Sequence, residues 1–222
     1  MSQEQDIELR LRQDLAAAFR LAAQYDWHDQ LATHMSVRLP GTTPRFLINP
    51  YGLFFEEVTA SSLVVVDPDG TLLSPSPHGV NKAGFIIHSA IHRARVDAQC
   101  VIHLHTIAGS AVAAHPAGLL PISPGAMYFD GRLGYHDWEG VTVVPAEQAR
   151  IVANLGTHLG MIFRNHGTLT VGRTVGEAFE RMRLAFRRLQ GEVGEVLTVS
   201  AVPSFAGNWL APRIGGFQLR HP

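Results

Sequence analysis

Cysteine occurs once in this 222-residue chain, at Cys100. That excludes an intrachain disulfide and any multi-cysteine zinc site. Cys100 also sits inside an apolar run, where a thiol is usually inert. Charge of either sign is not in excess: the formal net charge is −1. Without a basic field, nucleic-acid binding has no electrostatic support. No apolar run reaches the roughly 18 residues needed to span a bilayer, so no membrane partner is expected. The opening Met1–Arg10 stretch is polar and acidic rather than basic-then-apolar, which argues against a secretory signal. A cytoplasmic protein is the simplest reading. Also missing are G-x-S-x-G, the G-x-x-x-x-G-K-[ST] phosphate loop and a G-x-G-x-x-G after a strand.

Histidine is plentiful, with twelve in the chain. Apolar residues make up 46% and charged residues 17%, enough for a substantial core and too apolar for disorder. Ile7, Leu11, Leu15, Ala18, Phe19 and Ala22 recur at helical spacing and predict a helix over 6–25. Strands are expected at 35–39 and 45–48, joined by the Pro40–Pro44 turn as a hairpin, and at 63–66. Helices are expected at 83–95, 106–114, 146–159 and 174 to about 196, the last opened by a Thr174/Glu177 capping box. Further strands are expected at 100–105, 141–144, 161–164 and 168–171. Residues 115–140 read as a long irregular connection. The intermixed elements and hairpins imply one domain with helices packed on a mixed sheet. We place it at 1–200, with 201–222 as a tail, flexible or docked on a neighbouring subunit.

The chemistry centres on Cys100-Val101-Ile102-His103-Leu104-His105. Side chains two apart on a strand face the same way, roughly 6–7 Å apart at the backbone. Two imidazoles so placed can converge on one ion, with Zn–N distances of about 2.0–2.1 Å. The alternative is two hydrogen-bonded core histidines. Arg164-Asn165-His166-Gly167 lies between two apolar strands. It suits an ordinary hairpin turn, or it supplies a third ligand, leaving the open position that catalytic zinc requires. His88 and His92 lie four apart on the predicted 83–95 helix, but Ser89 stands where H-E-x-x-H needs Glu, so a metalloprotease is excluded. A core or surface role is favoured for that pair.

Several ordered segments then resemble the class II aldolase/adducin family. They are Met35–Arg38, Phe46–Gly52, Ala83–His92, Val101–Thr106, Tyr135–Gly140 and Arg164–Val175. The resemblance runs from about residue 9 to about 197. It implies an α/β fold with three α/β/α layers around a largely antiparallel sheet, commonly built into a four-fold homo-oligomer. It implies a small-molecule substrate and a divalent metal on His103, His105 and His166. Zn²⁺ is the first expectation, with Fe²⁺, Mn²⁺ and Co²⁺ as alternatives. It also implies carbon–carbon lyase chemistry through a metal-stabilised enediolate, as aldol cleavage or decarboxylation. Two other readings stay open: an adducin-like scaffold without catalysis, and an iron-dependent oxygenase or decarboxylase of secondary metabolism.

The resemblance also marks a departure. Where the family's aldolases carry a catalytic Glu, this chain has Gly84; their phosphate-gripping Ser positions are Lys82 and Ala83; their Gly-Asn pair is Thr33-His34. His88 is one helical turn from Gly84 and is expected to reach into the vacated space as a fourth ligand or proton carrier. Tyr135, with Tyr128 behind it, is a candidate acid. His34, Asn49, Gly52 and Lys82 are candidate substrate contacts, Lys82 as a partner for a carboxylate or phosphate.

Overall fold

The computed structural model describes residues 3–142 and 144–186. The expected tail and the end of the last helix lie outside them. A seven-stranded sheet runs in the order β3-β2-β1-β4-β7-β6-β5. The strands are β1 (His34–Arg38), β2 (Phe46–Ile48), β3 (Val64–Val66), β4 (Cys100–Leu104), β5 (Leu133–His136), β6 (Gly160–Phe163) and β7 (Gly167–Gly172). Only β5 and β6 pair in parallel; every other pairing is antiparallel. The helices are α1 (Gln3–Gln24), α2 (Lys82–Ala94), α3 (Ile107–Ala114), α4 (Pro124–Tyr128), α5 (Gln148–Leu155) and α6 (Val175–Phe186).

Alternation along the strands sorts the chain into three layers. On one face, Cys100, Ile102 and Leu104 of β4 pack with Leu15 and Phe19 of α1 and with Ala178 and Met182 of α6. On the other, Val101 packs with Ile87 and Ile91 of α2 and Ile151 and Leu155 of α5. Each such large side chain gains about 1.5–3 kcal/mol from burial. This outweighs the polar character of most of α1 and holds it to the sheet. The second face of β4 also carries His103, so the histidine strand belongs to the α2 side.

Two segments differ from the sequence reading. Residues 141, 142 and 144 form no strand; they lie in a bend and an unpaired segment. Their apolar run points partly outward, with Val141 and Val144 exposed. The connection over 115–140 is less irregular than expected. Ser123 caps α4 by accepting from the Ala126 N–H at 3.2 Å. β5 then pairs with β6 through Leu133↔Gly160 to His136↔Phe163. Tyr135 and His136 carry the only strand signal there, too short a run to register as periodic. No described helix is long and apolar enough to cross a membrane.

Candidate metal centre

β4 ends at Leu104, and His105 follows as the chain turns into α3. His103 and His105 therefore lie on one side, as the spacing requires. His166 arrives from the β6–β7 hairpin. That turn places Asn165 in the left-handed region, at φ 56°, which Asn tolerates better than most residues. The turn is pinned: the Asn165 N–H donates to the Ala113 carbonyl at 3.0 Å, and the His166 N–H to Phe163 at 3.1 Å. Gly167 completes the arrangement. A Cβ there would lie 2.6 Å from His105 Cδ2 and 2.7 Å from the Leu104 carbonyl oxygen. Only glycine lets the two chains approach closely enough for His105 and His166 to meet.

The three rings converge. Their centroids are 4.9 Å (His103–His105), 4.9 Å (His103–His166) and 4.7 Å (His105–His166) apart. One ligand nitrogen from each ring lies within 4.8 Å of the others.

Their hydrogen bonds fix which nitrogens face inward. The His103 Nδ1–H donates to the Thr168 carbonyl at 3.1 Å. The His105 Nδ1–H donates to Asp29 Oδ2 at 2.9 Å. The His105 ring holds the Asp29 carboxyl below its ordinary range, so that oxygen is an acceptor. With one proton each, both rings then present bare Nε2 atoms, and these face each other at 3.1 Å. Burial pushes His103 well below its usual value and His166 down to about 3. Two lone pairs at that distance repel unless a cation lies between them. Ligands on a tetrahedral ion at about 2.0–2.1 Å sit about 3.3 Å apart. The residues therefore fit a divalent metal, and the backing of His103 and His105 by acceptors is the usual outer shell of a metal-binding histidine.

Other groups surround this point. Trp138 meets His166 edge to face at 5.5 Å and is half exposed. His136 lies behind Phe163, 5.4 Å from it. It is held by Glu147 at 3.1 Å and Asn154 at 2.9 Å, with Thr142 also donating to Glu147.

The candidate residues fall into distinct places. His34 pairs with His103 across β1 and β4. Its ring stacks on that of His103 at 5.0 Å and 27°. It also fills the space over Gly84, where a Cβ would lie 2.7 Å from His34 Cδ2. The structure therefore puts His34, not His88, in the place expected for His88. His88 sits behind it, fully buried and bonded to His34 at 2.8 Å. His92 takes the core position of the two that its spacing left open, 4% exposed.

Tyr135 faces away from His136, as strand alternation requires. Its hydroxyl accepts from the Leu119 N–H at 3.2 Å, and Arg164 lies over its ring at 4.4 Å. Asn49 accepts from the Met35 N–H at 3.4 Å. Gly52 turns the chain at φ +104°, and a Cβ there would lie 3.6 Å from His78 Nδ1. Lys82 is exposed at the start of α2. Asp29, Ser36 and Trp138 went unremarked in the sequence as site residues. Ser36 and Trp138 had a signal, their places in Met35–Arg38 and Tyr135–Gly140; Asp29 reaches the site from a loop 76 residues away from His105.

A family model described as Class II Aldolase and Adducin N-terminal domain matches residues 13–190. An aldolase II superfamily protein from Pseudomonas syringae superposes with a TM-score of 0.79 at 49% identity, over 83% of this chain and 73% of that one. L-fuculose 1-phosphate aldolase from Glaciozyma antarctica PI12 gives 0.74 at 30% identity, over 83% and 72%. Alpha-adducin of Rattus norvegicus is 46% identical over 175 residues, which cover 78% of this chain but 24% of the adducin.

Proposed function

The chain belongs to the class II aldolase and adducin family, and on that premise we propose a divalent-metal-dependent carbon–carbon lyase of a small oxygenated acid or sugar derivative. The pair of Nε2 lone pairs facing at 3.1 Å carries this reading. His103, His105 and His166 would hold the ion, and Asp29 and the Thr168 carbonyl would orient two of them. Bound there, a divalent metal supplies a Lewis acid for negative charge developing on a substrate oxygen. Trp138 walls the site beside His166 and limits the size of what enters.

Gly84 bears on the choice of reaction. It offers no acid or base, and His34 occupies the space beside it. Retro-aldol cleavage needs a hydroxyl proton removed, whereas loss of carbon dioxide from a 3-oxo acid, whose carbonyl takes up the electron pair as an enolate, does not. Decarboxylation is therefore favoured over aldol cleavage. Zn²⁺ suits the donor set, and Fe²⁺, Mn²⁺ or Co²⁺ would also be accepted, since supply as well as affinity selects among them. A single domain over 1–200, a homotetramer and a cytoplasmic setting belong to the same proposal.

Metal analysis of the purified protein, after equilibration with each of these ions, tests it. About one ion per chain is expected, and His103→Ala should lose it. The scaffold reading draws on the 46% identity to alpha-adducin and on Gly84. No stoichiometric metal under any of these conditions would replace the lyase with the scaffold.

A further inference from the structure

A cleft of about 740 Å³ opens at the β3 edge of the sheet, among α1, the segment 59–64 and the strap Ser74-Pro75-Ser76-Pro77-His78. Pockets for small molecules commonly hold about 300–1,000 Å³. Arg12 reaches the cleft from α1, on the face of the sheet opposite His103. None of the three converging histidines lines it.

Hydrogen bonding around the cleft uses up acceptors and leaves donors over. The edge of β3 is closed at Val65, whose N–H donates to Ser74 Oγ at 3.0 Å and whose carbonyl accepts from the Leu73 N–H at 2.8 Å. Arg12 takes the carbonyls of Ala60 at 3.2 Å and Leu63 at 2.8 Å. Glu8 accepts from its Nε at 2.9 Å and pairs with Nη2 at 2.8 Å, so one Nη2 hydrogen is left. Ser76 Oγ accepts from the His78 N–H at 3.1 Å. The Thr59 and Ser61 hydroxyls share a single hydrogen bond at 3.0 Å, which leaves one of their two hydrogens over. Ser74 and Ser76 thus each receive a hydrogen bond and keep their own hydrogen to give. The His78 ring carries at least one N–H in any protonation state. Among the described residues no hydrogen bond engages these donors, and no carboxylate lines the cleft.

The strap holds three of these groups in place. Ser74, Ser76 and His78 are half-buried, and the intervening Pro75 and Pro77 are exposed. Proline fixes its own φ and has no N–H to compete for a ligand, so little ordering of the strap remains to be done on binding. A set of donors beside a guanidinium suits a group with several acceptor oxygens.

We propose that this cleft binds a phosphate monoester of a small alcohol. The phosphate oxygens accept from Ser74, Ser76, His78 and Arg12, and the organic part lies against Leu9 and Val64. The cavity is larger than a bare phosphate ion fills, which selects the ester over inorganic phosphate. The site is separate from the metal centre and rests on no part of the lyase reading.

Calorimetric titration of chelator-treated, metal-free protein with glycerol 3-phosphate reads this binding with no metal taking part. One molecule per chain is expected, with inorganic phosphate weaker and glycerol without effect. Ser76→Ala and His78→Phe each remove one donor and should each weaken binding about tenfold or more, the usual worth of a hydrogen bond to a charged group. Lys82→Ala, at the start of α2 and outside the lining, should leave the affinity unchanged. Absence of saturable binding overturns the proposal, as does equal binding of inorganic phosphate. So does an affinity unchanged in both Ser76→Ala and His78→Phe. Loss of binding in Lys82→Ala overturns it too, by placing the phosphate beside α2 instead. If Ser76→Ala does not fold, His78→Phe decides.

Discussion

Two groups of histidines lie side by side on the same face of the sheet, and they solve the same problem in opposite ways. In the inner group one row of hydrogen bonds runs from the Ala98 carbonyl through His92, Ser36 and His88 to His34 Nδ1, and each link hands on to the next. In the outer group two rings have spent their only proton on Asp29 and the Thr168 carbonyl, so their remaining nitrogens confront each other. The ring chemistry is the same in both. The difference lies in the anchors: an alternating row needs one acceptor at one end, whereas two separate acceptors behind two converging rings leave a place for a cation. A histidine cluster is thus better judged by what stands behind each ring than by how many rings it contains.

Acid should expose this contrast most strongly. His92 is pushed down to about 3 from its ordinary 6.5, by burial first and then by Arg38, and burial also pushes His88 well below that ordinary value. Lowered values mean that the unfolded chain takes up protons the folded chain refuses. Stability should therefore be full above about pH 6.5 and fall continuously as the pH drops toward 3. Urea denaturation of metal-free protein across that range measures the slope. His103 and His166 act in the same direction. The zinc-loaded protein should fall more steeply than the metal-free form, because protons also displace the ion. Identical curves for the two forms would mean that the outer group holds no metal.

Ser36→Ala breaks the inner row alone. It strands His88 Nδ1 and His92 Nε2, each at a cost of about 1–3 kcal/mol. A loss of roughly 2–4 kcal/mol in unfolding free energy is expected, with metal content unchanged. Asp29→Asn touches only the outer group. Weakening an outer-shell partner typically lowers metal affinity about 10–100-fold, measurable by competition with a chelator, and Asp29 is exposed enough that folding should hardly change. Gly84→Ala tests where the groups meet. Its methyl would press on the His34 ring, and such overpacking costs about 1–3 kcal/mol. The smaller end of that range is expected, because the ring edge can tilt; thermal unfolding reads it.

Much of the fold was legible because its elements are periodic. The first helix was expected at 6–25 and runs Gln3–Gln24; the second was expected at 83–95 and runs Lys82–Ala94. The histidine strand was found almost to the residue, since His103 and His105 share a face through a rule of spacing alone. β5 was missed because four residues containing a glycine carry no readable period, and α4 because it is only five residues long and opens on a proline. The inner row was invisible for a different reason. His34 meets His103 through the β1–β4 register and meets His88 through the seating of α2, and neither is written in local sequence. The expectation that His88 would fill the space beside Gly84 was sound about helix geometry. It could not weigh a cross-strand neighbour.

The pairing of β4 has a consequence for how the molecule is made. Both neighbours of that central strand are remote in sequence: His34 lies opposite His103 on one side and Leu169 on the other. No hairpin delivers either contact, so two long loops must close before the strand is seated. Non-local pairing of this kind is slow compared with hairpins and helices. A ribosome that has released β4 has made two of the three converging histidines but has yet to make the turn that brings the third. On the proposed metal reading, capture would then be a late event in the life of the chain, coming after the sheet is complete rather than guiding it.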